Sequence, residues 1–332
     1  MTKPKILILG KKGGILNWPE YVINACETLG VTHSFFPTNH LTTTSRLQSK
    51  IIKSLDKSRF IKIQANALQQ QICNFSPDLI FFIDSLGLNT ELISVVDKYK
   101  SRFRTAHWIG DHYNDSILDI NAITDRFYFT DSSLLEHAYA LNLNQPKILG
   151  LAVDENIFHQ KSDDNLEEEH FLSRNKAILF IAAYSENRRE IIEGIDMPMH
   201  IYGKGWGQLK THTHRIHSKN ISLKQVAKLN HKHQVILNII NSNNITNGLN
   251  MRCFEACASG AVLLTDKVKD LPYYFNQEEV ISYANCNDLN AKLANIYKHP
   301  EGLYQTAKKG QKKTTTQHTY KNRLLSVVAD LN

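Results

Sequence analysis

No run in the 332-residue chain approaches the roughly 20 consecutive apolar residues of a membrane span, so a transmembrane protein is not expected. Met1-Thr2-Lys3-Pro4 leads straight into a strand-like run with no signal-peptide pattern. A cytoplasmic protein is expected, peripheral at most at the inner face of the membrane. The five cysteines (Cys26, Cys73, Cys253, Cys257, Cys286) are odd in number, scattered, and form no C-x-x-C pair. This argues against a disulfide framework and a structural zinc site, and they read as reduced core thiols. There is also no Asp-x-Asp motif, no G-x-G-x-x-G fingerprint, no P-loop and no internal repeat.

What is present begins with size and charge. A chain of 332 residues exceeds what one hydrophobic core usually organises, and 42% hydrophobic with 21% charged residues is ordinary for a globular protein. The formal net charge of +7 points to an anionic partner: nucleotide phosphates, an acidic membrane surface or nucleic acid. The charge is concentrated. Residues 46 to 62 carry Arg46, Lys50, Lys53, Lys57, Arg59 and Lys62 against Asp56 alone, while Leu47, Ile51, Ile52 and Leu55 recur at helical spacing. The segment reads as an amphipathic helix with its apolar stripe in the core, or else as a peripheral membrane or acceptor-docking helix.

Apolar runs alternate with helical patterns in both halves, which predicts α/β architecture with parallel sheets covered on both faces. Strands are predicted at 6–9, 31–36, 79–83, 105–109, 127–129 and 147–149. After a polar, acidic stretch they resume at 177–182, 200–202, 235–239 and 261–264. Residues 1–158 are expected to form an N-terminal Rossmann-like domain, 159–176 a link, and 177–316 a C-terminal Rossmann-like domain. Residues 317–332 are expected to form a helix packing back toward the first domain. Lys312-Lys313-Thr314-Thr315-Thr316 reads as a solvated turn. Two such domains would face each other across a cleft, with ligands at the carboxyl ends of the strands.

Three glycine-bearing segments follow predicted strands. Gly10-Lys11-Lys12-Gly13-Gly14 reads as a cleft loop or a plain strand-to-helix turn. Tyr202-Gly203-Lys204-Gly205-Trp206-Gly207 offers an aromatic side chain to a base or sugar face. Asn247-Gly248-Leu249-Asn250-Met251-Arg252-Cys253-Phe254-Glu255 opens a helix that ends at Gly260. Free amides and Arg252 at that helix start suit a diphosphate, and Glu255 one turn on suits ribose hydroxyls.

The run Asn250-x-Arg252-x-Phe254-Glu255-Ala256-x-Ala258-x-Gly260 resembles the signature of the CgeB-like glycosyltransferases, within the group-1 glycosyltransferase superfamily. Val153-Asp154-x-x-x-Phe158, Ser185-Glu186-Asn187-Arg188-Arg189, Tyr202-Gly203-Lys204-Gly205-Trp206 and His318-Thr319-Tyr320-x-x-Arg323 resemble the same family. The likeness covers the C-terminal half well and the N-terminal half loosely. It implies a GT-B fold with 1–158 as the acceptor domain and 177–316 as the donor domain, with a nucleotide-sugar, most often a UDP-sugar, as co-substrate and with no cofactor or metal. It implies that Glu255 holds the donor ribose, that Arg252 and Arg188 or Arg189 face the phosphates, and that Gly203, Lys204 and Trp206 line the base or phosphate side. Asn250 belongs to the same signature. Many retaining relatives carry a glutamate where this chain has Asn247, so the stereochemical outcome stays open.

In the N-terminal half, His107-Trp108-Ile109-Gly110-Asp111-His112 runs out of the strand predicted at 105–109. An inverting transferase needs a general base near the acceptor hydroxyl, and Asp111 or His112 is the candidate. Asp84 after the third strand joins Gly13 and Gly14 as a cleft candidate, with capping of the next helix as its alternative role. His107 reads as packing, and His212-x-His214-x-x-His217 lacks a carboxylate or thiolate partner for a metal. The expected activity is sugar transfer to a cell-envelope glycan, lipid-linked or protein acceptor. Glycosylation of a DNA base and a non-catalytic sugar-nucleotide-binding or scaffolding role are the alternatives.

Overall fold

The computed structural model describes residues 3–13, 18–41, 46–84, 88–113, 117–159, 166–241 and 245–331. They form two compact units, 1–150 with 320–332, and 151–319.

Unit 1 is built on six parallel strands: β1 (Ile6–Gly10), β2 (His33–Pro37), β3 (Leu79–Ile83), β4 (Arg104–Ile109), β5 (Arg126–Phe129) and β6 (Lys147–Ile148). Their spatial order is β2-β1-β3-β4-β5-β6. β1 and β3 are buried along their whole length, which is why they read as unbroken apolar runs rather than as alternation. The connections are α1 (Trp18–Leu29), α2 (Arg46–Leu55), α3 (Lys57–Phe75), α4 (Thr90–Tyr99), α5 (Ile117–Asn121) and α6 (Ser132–Ala140). Glycines let α1 lie close to the sheet: a Cβ on Gly10 would come within 2.7 Å of Pro19, and one on Gly110 within 2.6 Å of the Trp18 ring.

Unit 2 repeats the plan with β7 (Ile178–Ile181), β8 (Met199–Tyr202), β9 (Arg215–His217), β10 (Val235–Asn238), β11 (Val262–Asp266) and β12 (Ile281–Tyr283), in the order β12-β11-β10-β7-β8-β9. Its helices are α7 (Glu155–Phe158), α8 (Glu168–Leu172), α9 (Glu186–Glu193), α10 (Leu223–Lys232), α11 (Met251–Ala258), α12 (Leu271–Tyr274), α13 (Cys286–Lys298) and α14 (Pro300–Gln317). The last helix, α15 (Tyr320–Leu331), belongs to unit 1. There Tyr320 packs between Tyr21 and Trp108, and Asp330 takes a hydrogen bond from Tyr128 at 3.0 Å and an ion pair from Lys147 at 2.7 Å.

Three expectations change. The division between units falls at Gly150–Leu151 rather than within 159–176. Leu166 and Phe171 of that polar stretch are buried in the core of unit 2, and Arg174 donates to the Ser259 and Gly260 carbonyls at 3.0 and 2.7 Å. Apolar and capping residues spaced among charges thus make the described part of it a piece of the domain. Lys312–Thr316 is no turn but lies inside α14, with Thr314 fully buried against unit 2. Thr315 and Thr316 hydroxyls satisfy themselves on the Gln311 and Lys312 carbonyls four residues back, the bond that hydroxyl side chains make inside a helix.

The third change concerns 46–62. Asp56 ends α2 and N-caps α3, accepting from the Arg59 amide at 2.8 Å. The apolar stripe does not enter the core: Leu47, Ile51 and Leu55 are 69%, 49% and 82% exposed. The side of α2 that packs inward is marked instead by buried Ser49, whose hydroxyl accepts from the Leu41 amide at 3.0 Å.

Candidate functional site

In open parallel sheets, ligands bind at the carboxyl ends of the strands where the strand order reverses. In unit 2 that switch point lies between β7 and β10. The loop after β7 leads into α9, and the loop after β10 leads into α11. Arg188 of α9 spans the two: its Nη1 donates to the Ala183 carbonyl at 3.0 Å and its Nε and Nη2 to the Ile239 carbonyl at 3.3 and 3.2 Å. Burial lowers the pKa of its guanidinium, Asp266 at the end of β11 opposes that, and the nearby charge of Arg252 adds to it.

Arg252 stands in the first turn of α11, where backbone amides lack helical partners and favour anions. It pairs with Glu255, whose side chain is only 4% exposed. The helix is held firmly beneath them. Its C-terminal carbonyls are capped by Arg174, and Gly260 takes the left-handed φ of +66° that helix ends favour. Asn250, the N-cap residue, does not cap with its side chain but donates to Asn238 at 2.9 Å, and Asn238 donates to Thr265 at 3.0 Å. The Asp266 carboxylate accepts from the Ile240 amide at 2.7 Å, and burial raises its pKa. Asn247 is half-buried, and its carbonyl accepts from the Asp270 amide at 3.0 Å.

The glycine-tryptophan loop divides into residues that differ in use. Gly203 passes so near the end of β7 that a Cβ there would lie 2.0 Å from the Ala182 carbonyl oxygen. Lys204 is exposed, and its carbonyl accepts from the Tyr184 amide at 2.9 Å. Trp206 corrects the expectation of a donor-lining aromatic: it is fully buried, donates from Nε1 to the Ala182 carbonyl at 2.7 Å, and packs edge-on against Phe180 and Tyr184. Arg189 is corrected as well, since it points along the helix surface into pairs with Glu186 and Glu193, each at 2.7 Å. Of the two arginines, Arg188 alone turns toward the switch point.

In unit 1 the strand order reverses between β1 and β3. Asp84 follows β3 with a left-handed φ of +45°, its amide donating to the Trp108 carbonyl at 2.9 Å. It does not cap α4, whose N-cap is Asn89. Burial raises the Asp84 pKa, the neighbouring Asp111 carboxylate raises it further, and Lys11 and the Gly110 amide oppose. Asp84, Asp111 and Lys11 thus converge at this end of the sheet, while Asp111 and His112 are exposed after β4. Gly13 has a left-handed φ of +69°, in keeping with a tight turn. Gly14 lies outside the described residues.

His107 is fully buried, stacked on Phe82 at 3.9 Å with its Nδ1 2.8 Å from the Thr124 hydroxyl, and burial drives its pKa down to about 3. Among the described residues no group of three or more His, Cys, Asp or Glu is placed to hold a metal ion. Sequence reasoning passed over Asp266, Asn238 and Lys11. Asn238 and Asp266 had a signal, a polar carboxyl end on a strand that begins apolar.

Residues 178–329 match a protein family described as glycosyl transferase-like. No curated protein sequence matches the chain significantly. Among solved structures, a glycosyltransferase from Rickettsia africae superposes with a TM-score of 0.69 at 11% identity, covering 100% of this chain and 99% of that one. Sucrose-phosphate synthase from Thermosynechococcus elongatus gives 0.66 at 12%, covering 98% and 97%. HepE from Anabaena, solved in complex with UDP and glucose, gives 0.62 at 9%, covering 98% and 99%. These identities speak to fold, and the fold is GT-B: two parallel six-stranded sheets with flanking helices in one chain.

Proposed function

We propose that this chain, a GT-B protein whose second unit is glycosyl transferase-like, is a metal-independent glycosyltransferase of the CgeB-like group. It moves a sugar from a nucleotide donor, a UDP-sugar, to a cell-envelope glycan, lipid-linked or protein acceptor. The observation that carries the reading is the meeting of Arg188, Arg252 and the start of α11 at the switch point of unit 2. Two guanidiniums and a helix N-terminus balance the charge that builds on a departing diphosphate. The UDP and glucose named for the Anabaena relative support the choice of donor.

Arg252 is paired with the buried Glu255. Donor binding draws the guanidinium to the diphosphate, and the Glu255 carboxylate then accepts from the ribose hydroxyls. The exchange gives Arg252 an anionic partner and keeps the buried Glu255 carboxylate hydrogen-bonded. Lys204 and Gly203 border the donor on the β8 side. In unit 1, Asp111 takes the acceptor's proton, with Asp84 beside it and Lys11 tempering their repulsion.

Thermal melting with UDP, GDP, CMP, ADP and their sugar conjugates tests the assignment, because a ligand confined to the folded state raises its melting temperature. Stabilisation by UDP or a UDP-sugar that disappears in Arg252→Ala is the expected result. Equal stabilisation of parent and variant would falsify the donor site, and a folded protein that responds to no nucleotide would overturn the transferase reading.

A further inference from the structure

The exposed face of α2 is unexplained by sugar transfer. Leu47, Ile51 and Leu55, four residues apart, form one strip along the helix, and all three belong to the few large apolar side chains exposed among the described residues. Beside them Lys50 and Lys53 are exposed on the same helix, and Lys57 and Arg59 are exposed at the start of α3. None of these four cations makes an ion pair among the described residues. The single carboxylate of 46–62, Asp56, is held on the Arg59 amide as the α3 cap. Lys53 is steadied by the Phe60 ring at 5.5 Å, which keeps its charge near the helix surface.

We propose that this face docks on an anionic lipid bilayer. An aliphatic strip bordered by lysines suits the boundary between headgroups and acyl chains, with the methyl groups inserted and the ammonium groups on phosphates. A protein partner fits less well, because protein interfaces favour aromatic anchors and are depleted in lysine. A helix of 10 residues spans about 15 Å, enough to lie in the interface and too short to cross it. The described helices include none long and apolar enough to span a membrane, so attachment would be by this surface contact. Between Leu47 and Lys50 of the helix and Asn39 and His40 after β2 lies a cavity of about 370 Å³. Asn39 bonds both ways with the backbone of Lys12 in the loop after β1, which ties the docking face to the carboxyl end of the unit 1 sheet.

The test uses the full chain and sedimentation with phosphatidylglycerol-containing vesicles or with phosphatidylcholine vesicles alone, and does not depend on any transferase activity. The parent protein should pellet with the anionic vesicles, less so as salt is raised, and hardly with the neutral ones. The triple variant Leu47→Gln, Ile51→Gln, Leu55→Gln changes exposed positions to a good helix former, so its melting temperature should hold while bound protein falls roughly tenfold or more. Lys50→Gln with Lys57→Gln should weaken anionic binding alone. Failure of the parent to bind anionic vesicles, or undiminished binding by the triple variant, overturns the proposal. So does a parent dimer in lipid-free solution that the triple variant abolishes, since the strip would then belong to a second copy of the chain.

Discussion

Arg252 donates from Nη1 to the Glu255 carboxylate one turn further along α11, so the two residues of the donor signature neutralise each other. Removing either charge alone leaves the other without its partner. Arg252→Ala should destabilise the protein by about 1–3 kcal/mol, and Glu255→Ala in the same background should recover part of that loss. Urea unfolding of the two single variants and the double variant measures the coupling. Strict additivity would show that the pair contributes nothing to folding.

Trp206 belongs to the core, and its substitution should register in stability before it registers in binding. Trp206→Ala should cost about 3–5 kcal/mol through the cavity left against Phe180 and Tyr184. Trp206→Phe should cost about 1–3 kcal/mol, since the Ala182 carbonyl loses its Nε1 donor. UDP affinity of the folded Phe variant should match the parent by calorimetry. A large loss of affinity at unchanged stability would return this side chain to the donor site.

His107 makes stability depend on acid. Its pKa falls from the ordinary 6.5 to about 3 in the folded chain, so above 6.5 both states are neutral and nothing changes. Below that, the unfolded chain takes up a proton that the folded chain refuses, and stability drops by about 1.4 kcal/mol per pH unit until about pH 3. His107→Phe, which keeps the stacking on Phe82, should lose this component. Denaturant midpoints at about pH 7 and about pH 5 should diverge between parent and variant by about 2 kcal/mol in the variant's favour.

Asp84 should report on its neighbours. Asp111→Asn removes a repelling carboxylate and should lower the Asp84 pKa, whereas Lys11→Met removes an attracting cation and should raise it. Carbon NMR titration of the Asp84 carboxyl group reads both. Shifts of the same sign in the two variants would contradict the arrangement. If Asp111 is the base, its Asn variant should also lose about 10²–10⁴-fold in turnover while binding donor as the parent does.

The alternating plan of strands and helices was legible because a strand buried on both faces must be apolar throughout, as Ile6–Gly10 and Leu79–Ile83 are. The start of α11 was legible for a related reason: Asn250, Arg252 and Glu255 fall at the N-cap and in the first turns of one helix, so local spacing already places them together. Wherever the outcome depended on a distant partner, sequence left it open. Arg188 and Arg189 are adjacent, yet the 100° step of a helix sends one to the Ile239 carbonyl just after β10 and the other to Glu186 and Glu193 on its own surface. Gly203-Lys204-Gly205-Trp206 has the composition of a ligand loop, but whether the indole meets a base or Phe180 depends on how β7 and β8 pack. The stripe of α2 has the period of a core helix, and only the folded chain reveals that Leu47, Ile51 and Leu55 stay exposed. Periodicity states which side chains share a face; what that face meets is set by surfaces brought together from elsewhere in the chain.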